Sequence, residues 1–105
     1  MDAYISIFCT VPSKEIGITI ADNLVKGGIA ACVNIVPGVT SLYTWKGEFC
    51  TDSELLLIIK TREEKFELVR NKISELHPYE VPEIISFAIK NGNNAYLNWI
   101  DSCLK

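Results

Sequence analysis

The sequence is poor in the residues that most often announce a function. It has one histidine in 105 residues, and its four cysteines, Cys9, Cys32, Cys50 and Cys103, stand far apart with no C-x-x-C pair. That excludes a zinc ribbon or finger, which needs closely spaced thiol and imidazole ligands, and makes reduced thiols the default. No apolar run approaches the ~20 residues of a membrane-spanning helix, and the chain opens as a strand rather than as a basic n-region with an apolar h-region. No membrane partner and a cytoplasmic location are therefore expected. The ten Lys and Arg residues are scattered, so the basic footprint of a nucleic-acid binder is missing and no nucleic acid is expected as partner. A glycine-rich phosphate loop is absent. So is any sign of a nucleophile elbow or oxyanion hole, and no enzymatic activity is expected.

What is present is a well-mixed globular composition, 49% apolar with a formal charge of −3. That suffices for one domain over residues 1–105 with a core that needs no disulfides. Tyr4 to Thr10 alternates as a strand, with Ile5, Ile7 and Cys9 on one face. Ser13, just after Pro12, caps a helix that repeats Ile16, Ile20 and Leu24 and ends at Gly27-Gly28. A long extended segment then runs from Ala30 to Lys46, kinked or bulged at Pro37-Gly38. Gly47 to Asp52 reads as a turn, and Glu54 to Lys60 as a strand apolar on both faces. Thr61-Arg62-Glu63-Glu64 fits a capping box opening a second helix, along which Phe66, Val69, Ile73 and Leu76 recur at helical spacing. Ile84 to Ile89 reads as a buried strand. The Asn91-Gly92-Asn93-Asn94 cluster is a turn whose last Asn caps a final helix carrying Tyr96, Leu97, Trp99, Ile100, Cys103 and Leu104.

Between the second helix and the last strand lies the densest chemistry in the chain. His77-Pro78-Tyr79-Glu80-Val81-Pro82-Glu83 holds the single histidine, two of the four prolines and two carboxylates. Pro78 ends the helix and Pro82 keeps the chain extended, so this connection is stiff and fixes where its side chains point.

The order β-α-β-β-α-β plus a helix is an α+β, ferredoxin-like arrangement. Two helices cover one face of such a sheet. Here the other face also carries Ile, Leu and Phe, and water penalises exposed apolar area at ~25 cal/mol per Å². Self-association is the expected cover, with the long kinked strand and its Tyr43 and Trp45 as an arm reaching a neighbour. The competing cover is the C-terminal helix within one subunit.

The motifs Ala30-Ala31-Cys32-Val33-Asn34, Pro37 to Gly47, Glu54 to Thr61, His77 to Glu83 and Tyr96-Leu97-Asn98-Trp99-Ile100, in this order, resemble those of the CutA divalent-cation tolerance proteins. The resemblance runs over essentially the whole chain. It implies a ferredoxin-like subunit in a tight homotrimer, similar in architecture to the PII signalling proteins, with a role in divalent-metal tolerance and copper as the most often proposed ion. It also implies Cys9, Cys32 and His77 as metal ligands, since they fall at positions proposed to bind copper in bacterial members. Thiolate and imidazole suit Cu(I). Packing alone also accounts for cysteines among Ile and Val, and a helix C-terminus accounts for His77.

A second set of residues competes for the function. Tyr79, Glu80 and Glu83 on the stiff turn, Lys60 at the end of the third strand, and Tyr43 and Trp45 on the arm form a candidate cleft between subunits. It suits a small-molecule sensor or a carboxylate site for Cu²⁺ or Zn²⁺. An intersubunit Lys60–Glu83 ion pair with interface aromatics explains the same residues without a ligand. A scaffold for a protein partner is the third possibility.

Overall fold

The computed structural model describes residues 4–105. Its elements are β1 (Tyr4–Val11), α1 (Lys14–Lys26), β2 (Cys32–Trp45), β3 (Glu48–Arg62), α2 (Phe66–Leu76), β4 (Ile85–Ala88) and α3 (Asn94–Cys103), with a short 3-10 turn (Glu63–Lys65) before α2. The four strands form one antiparallel sheet in the order β2-β3-β1-β4. This is the ferredoxin-like order expected from the element sequence.

Local chemistry explains most of the boundaries. The Ser13 hydroxyl accepts from the Ile16 amide at 3.2 Å and opens α1. At the other end Gly28 adopts φ +72°, while Ile29 N–H donates to Leu24 O and Gly28 N–H to Val25 O. That is the paired closure of a helix through a left-handed glycine. Asn93 rather than Asn94 caps α3, accepting from the Ala95 amide at 3.1 Å.

The core lies on one face of the sheet. Ile5, Ile7, Cys9 and Val11 alternate inward along β1 and meet Ile20 and Leu24 of α1 and Val69 and Ile73 of α2. The alternation of β1 and the helical repeat of α2 thus serve the same layer.

Three sequence expectations change. The stretch Thr61 to Glu64 is no capping box. β3 runs on to Arg62, paired with Tyr4, and the buried Thr61 hydroxyl donates to Ile29 O at 2.8 Å. Glu64 instead pairs with Arg62 at 3.2 Å, and α2 begins without a side-chain cap. Strand pairing at the sheet end outbid the local cap. Second, the turn expected over Gly47 to Asp52 shrinks to Lys46-Gly47. Their φ values of 51° and 82° form the tight left-handed turn that lets β2 and β3 pair from Trp45–Glu48 inward. The result is a long hairpin, and the register shift between Val36 and Val39 is the expected bulge at Pro37-Gly38. Third, β4 is exposed in the single chain, with Ile85 at 46% and Phe87 at 49%.

That exposure belongs to the second sheet face. The helix α3 covers only one end of it, where Ile100 is buried and the Asp101 carboxylate accepts from the Tyr4 hydroxyl at 2.6 Å and the Arg62 guanidinium at 2.5 Å. Phe8 and Phe87, with ring centroids 4.9 Å apart, lie beyond it beside Ile85.

Candidate functional site

The bulge and the stiff turn define the site between them. Beyond the bulge, the outer half of the β2–β3 hairpin, Thr10 near the end of β1 and the chain leaving α2 line one cleft. Extended backbone at His77 (φ −81°, ψ 136°) ends α2, as a residue before proline must. The His77 ring then reaches back to β1: Nε2–H donates to Thr10 O at 2.8 Å, and Nδ1 accepts from the Tyr79 amide at 3.1 Å. Both ring nitrogens are engaged, which corresponds to the tautomer with its hydrogen on Nε2. The ring is 7% exposed and lies 4.6 Å, centroid to centroid, from Tyr79. His77 therefore pins the turn to the sheet.

So pinned, Tyr79 reaches the sheet and donates to Glu54 Oε2 at 2.7 Å. Glu54 sits opposite Val39 just past the bulge and is 6% exposed. Burial and then the Glu54 bond push the Tyr79 phenol well above its ordinary range. Tyr43 donates to Asp52, and that bond followed by burial takes its phenol up to about 12. Both phenols are hydroxyl donors at neutral pH.

These groups line a cleft of about 640 Å³ whose walls include Tyr43, Trp45, Glu54, Tyr79, Glu80 and Glu83, with Thr10 at its inner end. Five of the six residues expected to line a cleft between subunits line this cleft within a single chain. The exception is Lys60, which lies on the open sheet face between Ser6 and Cys32 and bonds Asn34. The residue that sequence reasoning missed is Glu54, whose only early signal was a carboxylate opening an otherwise apolar strand. The lining contains three carboxylates and no Lys, Arg or His. At the mouth, Lys46 Nζ stands 3.5 Å from Glu80 Oε1 and 5.5 Å from the centroid of the Trp45 ring.

The other expected set, Cys9, Cys32 and His77, does not come together within one chain. Cys9 pairs with Leu57 on the helix-covered face, whereas Cys32 pairs with Lys60, itself opposite Ser6, on the open face. Directly paired residues share a face, so the two thiols point to opposite sides of the sheet. Cys9 is fully buried, and burial first, then the Glu83 and Glu54 charges, push its thiol up to about 12. His77 has both nitrogens occupied. Among the described residues no three His, Cys, Asp or Glu side chains are grouped to hold a metal ion.

The family model described as CutA1 divalent ion tolerance protein matches residues 5–103. The "Divalent-cation tolerance protein CutA" of Thermus thermophilus is 50% identical over 94 residues, covering 90% of this chain and 91% of that protein. "Protein CutA 1, chloroplastic" of Oryza sativa is 47% identical over 96 residues, covering 91% of this chain and 54% of that one. The chain thus spans about half the length of the plant relative. In structure it superposes on the Thermus thermophilus divalent cation tolerance protein with a TM-score of 0.94 at 46% identity, covering 97% of this chain and 99% of that one. The "Periplasmic divalent cation tolerance protein CutA" from Archaeoglobus fulgidus gives 0.94 at 37% identity, covering 97% and 99%. Relatives named as chloroplastic and periplasmic show that the cytoplasmic expectation does not follow from kinship. None of these names is that of an enzyme. Long motifs in one order, a ferredoxin-like sheet and matches over nearly the whole chain agree: this chain belongs to the CutA1 divalent ion tolerance family.

Proposed function

We propose that this protein serves divalent-ion tolerance as a homotrimer that binds cations at the cleft between its hairpin arm and the His77–Glu83 turn. The observation that carries this reading is the sign of the lining: three carboxylates and no basic side chain. Carboxylate and hydroxyl oxygens suit hard divalent ions and Cu²⁺ better than Cu(I), which prefers thiolate. Among the described residues no three-ligand group is preformed, so water or a second subunit has to complete the coordination that the cleft carboxylates begin. Copper as Cu(I) at Cys9, Cys32 and His77 has less support, because the two thiols lie on opposite faces of the sheet. The trimer is supported by the uncovered apolar face of β1 and β4 and by the projecting arm. Four free cysteines suit a reducing compartment, and on that ground we place the protein in the cytoplasm.

The test is titration of metal-free protein with Mn²⁺, Zn²⁺ and Cu²⁺, beside Glu83→Gln, Glu54→Gln and Cys32→Ser. Weakening by roughly tenfold, about 1.4 kcal/mol, in the Glu variants and no change in Cys32→Ser is expected. Binding that survives both Glu variants and fails in Cys32→Ser would move the site to the thiols.

A further inference from the structure

The cleft is much larger than an ion requires, and aromatic rings share its walls with the carboxylates. At about 640 Å³ it falls within the ~300–1,000 Å³ of small-molecule sites. Three aromatic rings, Tyr43, Trp45 and Tyr79, line it together with the carboxylates. Aromatic faces attract cations through the ring quadrupole, and carboxylates supply the counter-charge.

The chain itself shows how this chemistry works at the mouth. Its own ammonium group, Lys46 Nζ, stands over the Trp45 ring at 5.5 Å and against Glu80 at 3.5 Å. Lys46 is brought there by a backbone with φ 51° in the hairpin turn, a conformation uncommon for a residue with a side chain. The pair is solvent-exposed on both sides, at 69% and 70%, so it contributes little to stability and is readily exchanged. Deeper in, the Tyr79 hydroxyl occupies one oxygen of Glu54, and Glu83 completes the negative lining.

We infer that the cleft takes a small organic ammonium ion, a primary aliphatic amine or diamine, whose charged end replaces Lys46 between Trp45 and Glu80 while its chain lies along the aromatic walls. A doubly charged amine carries its second ammonium toward Glu54 and Glu83. This rests on the cleft being the functional site, and adds a ligand class that a metal ion does not share: one that needs the aromatic ring.

The experiment is calorimetric titration of the whole protein with butane-1,4-diamine and butylamine up to about 10 mM, the range in which weak millimolar sites are read. Mn²⁺ titrations run in parallel, on wild type, Trp45→Leu, Glu80→Gln and Lys46→Ala, with circular dichroism to verify folding. Expected results are saturable diamine binding, weakened about threefold or more by Trp45→Leu and tightened by a similar factor in Lys46→Ala, where the internal competitor is gone. Mn²⁺ binding should be indifferent to Trp45→Leu. Amine binding absent from both wild type and Lys46→Ala, or unchanged in Trp45→Leu, overturns the inference. Mn²⁺ binding without amine binding overturns it while leaving the divalent-cation reading in place, and loss of both overturns the two together.

Discussion

His77 shows how far a single residue can be understood from sequence. Its rarity and its place between a helix and two prolines marked it out, yet its task is to pin a turn. The ring spans from Thr10 O to the Tyr79 amide, contacts 67 and two positions away in sequence, and only the second was within reach of local reasoning. His77→Ala is expected to destabilise the fold by ~1–3 kcal/mol in urea, since it strips a partner from the part-buried Thr10 carbonyl and from the Tyr79 amide. It should also loosen ligand binding at the cleft through the displaced Tyr79. Cys9 makes a different prediction. Its thiol is pushed up to about 12 in the fold from an ordinary 9.0, so above pH 9 the unfolded chain sheds that proton while the native chain keeps it. Stability must then fall as pH rises, by up to ~1.4 kcal/mol per unit for this group. Tyr43 and Tyr79, also raised, act in the same direction from higher pH. Urea titrations between pH 9 and 10 should show a shallower loss for Cys9→Ala than for wild type, and an identical slope would count against burial of the neutral thiol.

At the scale of elements, the sequence was legible where the signal was local and misleading where a distant strand competed. Ser13 and the Gly27-Gly28 pair mark both ends of α1, because a cap and a left-handed glycine act within a few residues. Thr61-Arg62-Glu63-Glu64 satisfied the same local rule and failed. The antiparallel pairing of Tyr4 with Arg62 extended β3, and Ile29 O, 32 positions away, took the Thr61 hydroxyl. The two interpretations predict different costs. Thr61→Val leaves the Ile29 carbonyl without this partner in the core and is expected to cost ~1–3 kcal/mol. Glu64→Ala removes only an exposed charge and should cost less than ~1 kcal/mol. Equal losses in chemical denaturation would restore the capping box. The cleft followed the same division: its turn and arm residues stood out as motifs, but Glu54 joined them only through a hydrogen bond across the fold.

At the scale of the whole molecule, the chain is elongated and leaves apolar side chains uncovered on one face of its sheet, which supports the proposed self-association. Its extents are 44 × 25 × 23 Å and its radius of gyration 14.3 Å, above the ~13 Å of a compact domain of this size. The long hairpin accounts for that excess and carries Leu42 at 63% and Phe49 at 71% exposure, apart from the Tyr43 and Trp45 rings that line the cleft. The open face adds Ile85 and Phe87, and α3 covers only the Tyr4–Arg62 end. Apolar area left in water at ~25 cal/mol per Å² favours any arrangement that covers it, and an arm and a patch on the same chain give each copy something to offer and something to accept. Such a head-to-tail contact closes into a ring when the rotation allows, and the proposed homotrimer is a ring of three. Phe87→Glu places a charge at the centre of the patch without touching the helix-covered core. In light scattering after size exclusion, wild type is expected at about three times the 11.7 kDa of one chain and Phe87→Glu near a single chain, still folded by circular dichroism. A wild type at one chain mass, or a variant that keeps the wild-type mass, would mean that the exposed face is covered by something other than a second copy.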